Sequence, residues 1–429
     1  MNEAAPAPTE TRTNGATAAA VADGARGRLI LPDPIQWLLG EGRRIRDGDA
    51  FFGELCERLV AAGLPLWRAN LSVRVLHPQL RGVSLRWRRG GAVERLESER
   101  GSELSDSYLS SPIRVIFEGA YGLRRRLDLP EPQLDFPILA ELKAAGATDY
   151  VAMALPDGEE RPAAITWASD RPGGFSVEDL TLLYDMLPIL SLTVEVFKLR
   201  LMSANLLNVY LGALSGRRVL QGAIERGQLE TIHAVLWYCD LRGFTNLSDT
   251  LPHDELIELL NEYFEAVGEP VIAHGGEILK FIGDALLAIF PLDLELGRSG
   301  VDPALGAAAQ ALAMVRELNS RRASGGKRTI KLGIALHVGD VGYGNIGAPN
   351  RLDFTVIGSA VNKVVRIEAL SKALDRPLLL SSDFARRYAE PLTSLGFHAL
   401  RGISEPEEVF TCPLTEAATA GEAGIVVHA

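Results

Sequence analysis

Between Ala234 and Val338 the apolar residues change period in a fixed order, and that order constrains the chain more than any single motif. Ala234 to Tyr238 is a continuous apolar run of strand length that ends in Cys239-Asp240. From His253 to about His274, the residues Leu256, Leu259, Leu260, Tyr263, Phe264 and Val267 share one helical face, and Gly275-Gly276 ends the pattern. Glu277 to Ile282 and Ala285 to Phe290 read as two short strands around Gly283-Asp284. A second helix covers about Asp302 to Ser320, and Ile330 to Val338 is a further strand. A strand at Phe354 to Val356 and a helix from Ser359 to about Ala373 follow. The order β-α-β-β-α-β is the ferredoxin-like plan of an α+β domain.

That plan uses less than half of the 429 residues, and the chain is too long for one ordinary core. Residues 1–27 are small and polar without periodicity and are expected to be a disordered tail. A first α+β domain is expected over 28–197, a helical connector over 198–229, the second domain over 230–415 and a flexible tail over 416–429. In the first domain, Phe51 to Ala62 has helical spacing, while Leu71, Val73 and Val75, and then Val83, Leu85 and Trp87, alternate like strands. Tyr150 to Ala154 and Ala163 to Trp167 form a strand pair across Pro156-Asp157-Gly158, and Ser176-Val177-Glu178-Asp179 is a capping-box signal that opens a long helix.

The net charge of -11 and the lack of a dense Lys/Arg run argue against a nucleic-acid partner. Arg124 to Arg126 come nearest, and they read as a solvated helix face. Cys56, Cys239 and Cys412 are far apart and have no metal-ligand spacing, which fits free thiols in a reducing compartment. No secretory signal is visible, and Glu195, Lys198 and Arg200 interrupt the apolar stretch from Leu187 to Leu201. A cytoplasmic protein with no membrane span is expected.

The segment from Asp149 to Phe197 resembles the C-terminal half of a GAF domain: two strands, a Gly-Gly-Phe-Ser turn and an exit helix. The resemblance implies a sensor domain with an unknown small-molecule ligand; a dimerisation module with a filled core fits the same pattern. Leu192, Val196, Leu199, Ser203, Leu206, Tyr210 and Ala213 step by four and three, the spacing of a coiled-coil seam. A helix packed on its own domain is the alternative. Gly212 and Gly216 are expected to loosen the chain beyond it.

The chemistry concentrates in the second domain. Asp240 stands at the end of a buried strand and Asp284 in the tight turn of a hairpin, where two carboxylates can converge. Paired carboxylates suit Mg²⁺ bound to a triphosphate, because the ion needs few protein oxygens and completes its shell with phosphate and water. Gly243, inside Leu241-Arg242-Gly243-Phe244-Thr245, lets backbone N–H groups approach phosphate oxygens.

DLRGFTNLSD, GGEILKFIGDALLAIF and HVGDVGYGNIGAPNRLDFTVIGSAVNKVVRIEAL resemble, in order, the class III adenylate and guanylate cyclases. The resemblance covers about Thr231 to Phe410 and implies the following roles. Asp240, Asp284 and the Leu241 carbonyl hold two Mg²⁺ or Mn²⁺ ions. Lys280 and Thr355 read the purine edge, Asn362 orients the ribose and Arg366 stabilises the transition state. Gly243, Phe244 and Thr245 lie against the phosphates. Arg401 is the nearest match to a phosphate-binding lysine, with a surface strand-end charge as the alternative. The implied assembly is a homodimer with shared active sites. Asn362 and Arg366 are four apart, so they share a helix face.

Substrate choice follows from donor and acceptor chemistry. Adenine has an acceptor at N1 and a donor at N6; Lys280 is a pure donor, and the Thr355 hydroxyl can accept. ATP is therefore the expected substrate and adenylate cyclase the expected activity. A guanylate cyclase and a catalytically inactive cyclase fold acting as a signalling partner are the alternatives. Gly275-Gly276-Glu277 opens like the signature of diguanylate cyclases, but Ile278-Leu279-Lys280 does not continue it. His233, His253, His274 and His337 form no ligand cluster by spacing.

Overall fold

The computed structural model describes residues 32–155, 163–292 and 300–412. The expected tails at 1–27 and 416–429 and the turn at Pro156-Asp157-Gly158 lie outside these residues. The chain divides into two units, up to Met202 and from Ser203 onward.

The first unit contains α1 (Asp33–Leu39), α2 (Gly48–Ala61), β1 (Leu66–Arg74), β2 (Leu80–Arg88), β3 (Glu94–Glu99), α3 (Asp106–Leu109), α4 (Pro112–Phe117), β4 (Gly122–Arg126), α5 (Pro137–Ala144), β5 (Asp149–Leu155), β6 (Ala163–Ser169) and most of α6 (Val177–Leu211). Its six strands form one antiparallel sheet in the order β3-β2-β1-β6-β5-β4. Phe52, Leu55 and Leu59 of α2 pack with Leu71, Trp87 and Trp167 on one sheet face, and Leu183, Met186 and Leu190 of α6 join them.

The capping box forms as the sequence requires: the Asp179 amide donates to Ser176 Oγ at 3.2 Å, and the Ser176 amide donates to Asp179 Oδ2 at 2.7 Å. The Gly-Gly-Phe-Ser turn is fixed by fully buried Asp149, which accepts from the Phe175 amide at 3.0 Å and from Arg124 Nη2 at 2.7 Å. Gly174 has φ +66, and a Cβ there would lie 2.5 Å from Asp149 Oδ2, so a larger residue is excluded. Arg124 to Arg126 are not a helix face. They form edge strand β4, and their charges are satisfied by Asp149, Asp135 and Asp128 respectively.

The exit helix runs to Leu211, and Ala213 belongs to α7 (Ala213–Leu220), so the heptad spacing stops one step early. The seam residues Leu192, Val196, Leu199 and Tyr210 are exposed. By length and apolar composition alone α6 could cross a bilayer, yet Leu183, Met186, Leu187, Leu190 and Val194 are buried core residues. Gly212 and Gly216 tighten the chain instead of loosening it. Gly212, at φ +90, breaks the helix where a Cβ would meet Glu277 Oε1 at 2.8 Å, and Gly216 lies against the backbone of Leu207 and Asn208. Ser215 then donates its amide to Glu277 Oε1 at 2.7 Å and bonds Tyr343 Oη through Oγ at 2.8 Å, and Tyr343 donates to Glu277 Oε2.

The rest of the second unit is β7 (Leu229–Leu241), α8 (Phe244–Thr250), α9 (His253–Ala273), β8 (Glu277–Ile282), β9 (Ala285–Pro291), α10 (Asp302–Ser324), β10 (Leu332–Ala348), β11 (Arg351–Ile357), α11 (Ser359–Glu368), β12 (Leu378–Ser381), α12 (Ser382–Ala385), β13 (Thr393–His398) and β14 (Glu407–Thr411). The sheet order is β13-β14-β12-β10-β7-β9-β8, with β11 paired to β10. Within it, β10-β7-β9-β8 is an antiparallel four-strand core with α9 and α10 as its two connections, the expected β-α-β-β-α-β plan. Val235, Trp237 and Cys239 face α9 and α10, while Leu236 and Tyr238 face the opposite way, onto Val364 and Ile367 of α11. The central strands of this sheet are buried on both faces.

Two elements differ from the sequence reading. The strand expected to end at Val338 continues to Ala348, paired with β7 and then β11. Its glycines permit the approach: a Cβ on Gly344 would lie 2.1 Å from the Gln228 carbonyl oxygen, and one on Gly347 2.3 Å from that of Arg351. The helix expected to reach Ala373 stops at Glu368, where the Ser371 amide donates to the Glu368 carbonyl at 2.7 Å and its hydroxyl to the Glu368 carboxylate at 3.0 Å.

Candidate active site

Strand β7 carries Asp240 to the sheet end on the face that packs α11, where it is register-paired with Gly333. Gly333 leaves room there for Glu368 and Ser371; a Cβ would come within 2.2 Å of Glu368 Oε1. Asp284 occupies a two-residue hairpin turn between β8 and β9, with Gly283 at φ +64 allowing the tight reversal.

The turn brings the Asp284 carboxylate against that of Asp240. Burial first, then the Asp284 carboxyl and the Glu368 charge, push Asp240 up to about 7, and the Leu241 amide partly offsets them. Asp240 Oδ1 is buried with no hydrogen-bond partner. Burial likewise raises Glu368. Among the described residues neither Asp240 nor Asp284 has a cationic ion-pair partner. This is a pocket of concentrated negative charge with an unsatisfied oxygen.

Leu241 is buried at the strand end. Gly243 turns the chain at φ +81; Phe244 packs on the edge of the core, and Thr245 is exposed. Lys280 Nζ forms an ion pair with Asp353 on β11, and Thr355 is two residues further along the same strand. On α11, Asn362 is exposed and Arg366 half-buried. The Arg366 guanidinium lies beside Gly402, 3.5 Å from where a Cβ would stand, next to exposed Arg401. Among the described residues Arg366 makes no ion pair with Asp240 or Asp284. One chain thus holds two groups of candidate residues: the carboxylates at one strand end, and Asn362 and Arg366 on α11 with the Arg401-Gly402 loop.

The family model for the adenylate and guanylate cyclase catalytic domain matches residues 229–381, the stretch that holds most of these residues. The resemblance to the cyclases read from the sequence is thus supported over residues 229–381. An adenylate cyclase of Anabaena cylindrica is 34% identical over 172 residues, covering 39% of this chain and 33% of that protein. A solved bacterial light-regulated adenylyl cyclase is 28% identical, with a TM-score of 0.38, over 43% of this chain and 92% of that one. The solved guanylyl cyclase Cya2 is 26% identical, with a TM-score of 0.38, over 42% and 92%. The match spans about a third of the length of the first curated relatives, 33%, 34% and 30%.

The sequence reading of the cyclase domain passed over three residues. Asp353 is the ion-pair partner of Lys280; its signal was the i, i+2 spacing that puts it on the same strand face as Thr355. Glu368 and Ser371 adjoin the aspartates only because β7 and β10 pair Asp240 with Gly333, a register that no local motif encodes.

The donor set fits a divalent cation. Two carboxylates forced together, one of them with an orphaned oxygen, are what hard cations satisfy. Among the described residues no group of three or more His, Cys, Asp or Glu side chains is arranged to hold a metal, so substrate and water would have to complete the shell.

Proposed function

We propose that the chain is an adenylate cyclase that converts ATP to 3′,5′-cyclic AMP and pyrophosphate, in the cytoplasm, under the control of its N-terminal unit. The observation that carries this reading is the Asp240–Asp284 juxtaposition, with its unpartnered buried oxygen, inside a cyclase catalytic domain. Asp240, Asp284 and the Leu241 carbonyl would hold two Mg²⁺ or Mn²⁺ ions. Such ions, when bound, acidify the ribose 3′-OH and neutralise phosphate charge.

The remaining work falls to this chain's own groups. Lys280 donates to adenine N1 and Thr355 accepts from N6, which requires the Lys280–Asp353 pair to open or reorient. Asn362 orients the ribose so that its 3′-oxygen lies in line with the α-phosphorus. Arg366 offsets the negative charge that grows on the phosphoryl oxygens. Gly243, Phe244 and Thr245 approach the phosphates through the backbone, and Arg401 adds a cation near them. The resemblance, together with the lack of an ion pair between Arg366 and either aspartate among the described residues, supports a homodimer as the active unit, joining the aspartates of one protomer to Lys280, Thr355, Asn362 and Arg366 of its partner. The exposed seam on α6 supports a coiled-coil connector between the protomers. The strand pair, Gly-Gly-Phe-Ser turn and exit helix support a GAF-like sensor in the N-terminal unit.

A guanylate cyclase is the second reading, favoured by one observation: the Asp353 carboxylate at the head of Lys280 offers an acceptor to guanine N1–H and its 2-amino group. The deciding assay incubates the purified chain with ATP or GTP, each with Mg²⁺ or Mn²⁺, and measures cyclic product. Cyclic AMP from ATP is expected. Cyclic GMP as the main product would select the second reading, and no cyclic product under any condition would indicate an inactive fold.

A further inference from the structure

The N-terminal sheet has a second face unlike its apolar one. On β1, Arg68, Asn70, Ser72 and Arg74 alternate with the core residues Ala69, Leu71 and Val73. The register places Asn70 between Arg86 and Thr166, and Ser72 between Ser84 and Ala164. Helices α3, α4 and α5 and the segment around Ser102 cover this face. A covered sheet face is ordinarily apolar, because burying polar groups without partners costs free energy. Under α4 and α5 it is, around Tyr150, Ala152 and Ala164, but over β1 and β2 the cover stands off and leaves a half-open cavity of about 460 Å³, a size that suits a small organic molecule.

Its charge is one-sided. Arg68, Arg74, Arg81 and Arg86 line it, against the single carboxylate of Glu141. Arg81 has Glu103 at 3.6 Å, and Arg86 Nη1 has Glu94 at 3.3 Å. The Nε atoms of Arg74 and Arg86 are both buried without a hydrogen-bond partner. Arg68 has no ion-pair partner among the described residues, and burial, then the positive charge of Arg86, lowers its pKa. The guanidinium planes are held in place by rings: Arg74 stands over Phe117 at 4.5 Å and Arg81 over Tyr108 at 4.1 Å. The hydroxyls of Ser72 and Ser84 bond each other at 2.8 Å on the cavity floor. Fixed guanidinium groups with donors left over are suited to bind an anion, since phosphate and carboxylate oxygens accept in the fork geometry of arginine.

We infer that this cavity binds a small organic anion, a phosphate- or carboxylate-bearing metabolite, through Arg68, Arg74 and Arg86, with the serine hydroxyls orienting its uncharged part. The inference does not depend on the cyclase reading and stands even if the second unit is inactive. It deepens the sensor reading by giving the ligand a charge class.

The test is a calorimetric melt of the full chain with three probes, inorganic phosphate, glucose 6-phosphate and citrate, and with glucose as the neutral control. A saturable rise of a few degrees in the melting temperature is expected with at least one anion and none with glucose. Comparison of the probes separates phosphate from carboxylate recognition. Arg68→Gln and Arg86→Gln, made singly, should each weaken the effective probe roughly tenfold or more. Because each also removes one of several facing cations, neither should lower the melting temperature of the probe-free chain. Arg68→Lys, which keeps the charge but not the fork, should weaken binding less than Arg68→Gln. No saturable shift with any of the three anions overturns the inference. So does a shift that survives unchanged in both glutamine variants, since that would put the anion elsewhere.

Discussion

The two sheets of this chain solve opposite problems. In the second unit, β7, β9 and β10 are packed largely with apolar side chains on both faces, and the candidate reactive carboxylates lie at the rim, where β7 ends and the β8–β9 turn meets it. In the first unit one face is packed throughout; the other is packed under α4 and α5, around Tyr150, Ala152 and Ala164, but hollow over β1 and β2, where its polar groups lie under a cover. A rim site can be open and can be completed by a second molecule, and neither Asp240 nor Asp284 has an ion-pair partner among the described residues. A cavity over the middle of a sheet is complete in one chain. The catalytic unit is therefore read as half of a site, and the N-terminal unit as a whole one.

The strongest way to break this contrast is to neutralise the rim. Asp240→Asn or Asp284→Asn should lower cyclase activity roughly 100-fold or more, the scale of losing an electrostatic catalytic group. The melting temperature should hold or rise, because two crowded carboxylates no longer repel. Substantial activity in a folded variant would remove these residues from the site.

How much of this was legible in the sequence follows the same division. The rim residues are local: Asp240 ends an apolar strand run and Asp284 follows Gly283 in a tight turn, so both could be singled out from their neighbours. The hollow face is not local. Asn70, Ser84 and Thr166 lie on three strands and become neighbours only once the register is known. The strand expected to end at Val338 runs on through glycines that allow close strand pairing, and Gly212 and Gly216, expected to loosen the chain, sit in tight contacts.

The doubly buried sheet should also show in its acid response. His337 is 3% exposed, and burial, then Lys363, lowers its pKa to about 4, against the opposing charges of Asp383 and Glu407. Between about 6.5 and 4 the unfolded chain binds a proton there that the folded chain does not, so stability falls as pH falls through that window. The contribution is on the order of 3 kcal/mol for this shift. Urea melts across the window should show the second unit losing stability, and His337→Asn should flatten that slope. An unchanged slope would mean that other groups govern acid unfolding.

Packing density separates the two units more directly. Gly333→Ala would put a methyl within 2.2 Å of Glu368 Oε1 and should cost about 1–3 kcal/mol. Ser84→Ala, on the wall of the hollow face, should cost less than about 1 kcal/mol. Equal costs in chemical denaturation would contradict the contrast between a filled and a hollow sheet.

A smaller and more selective effect is expected at the purine edge. Lys280→Glu with Thr355→Cys should erode the preference for ATP over GTP by about 1–3 kcal/mol, the cost of a mismatched buried hydrogen bond. An unchanged substrate ratio in an active double variant would exclude this pocket.

Complementation tests most directly whether the catalytic unit is half of a site. Asp240→Ala and Asn362→Ala should each be inactive alone. In a mixed dimer one site carries both lesions and the other carries none. With random pairing about half of the dimers are mixed, each with one working site, so co-expression should restore roughly a quarter of wild-type activity. Co-expressed dimers that are demonstrably mixed yet remain inactive would contradict the shared site and place Asp240 and Asn362 in the same chain's chemistry.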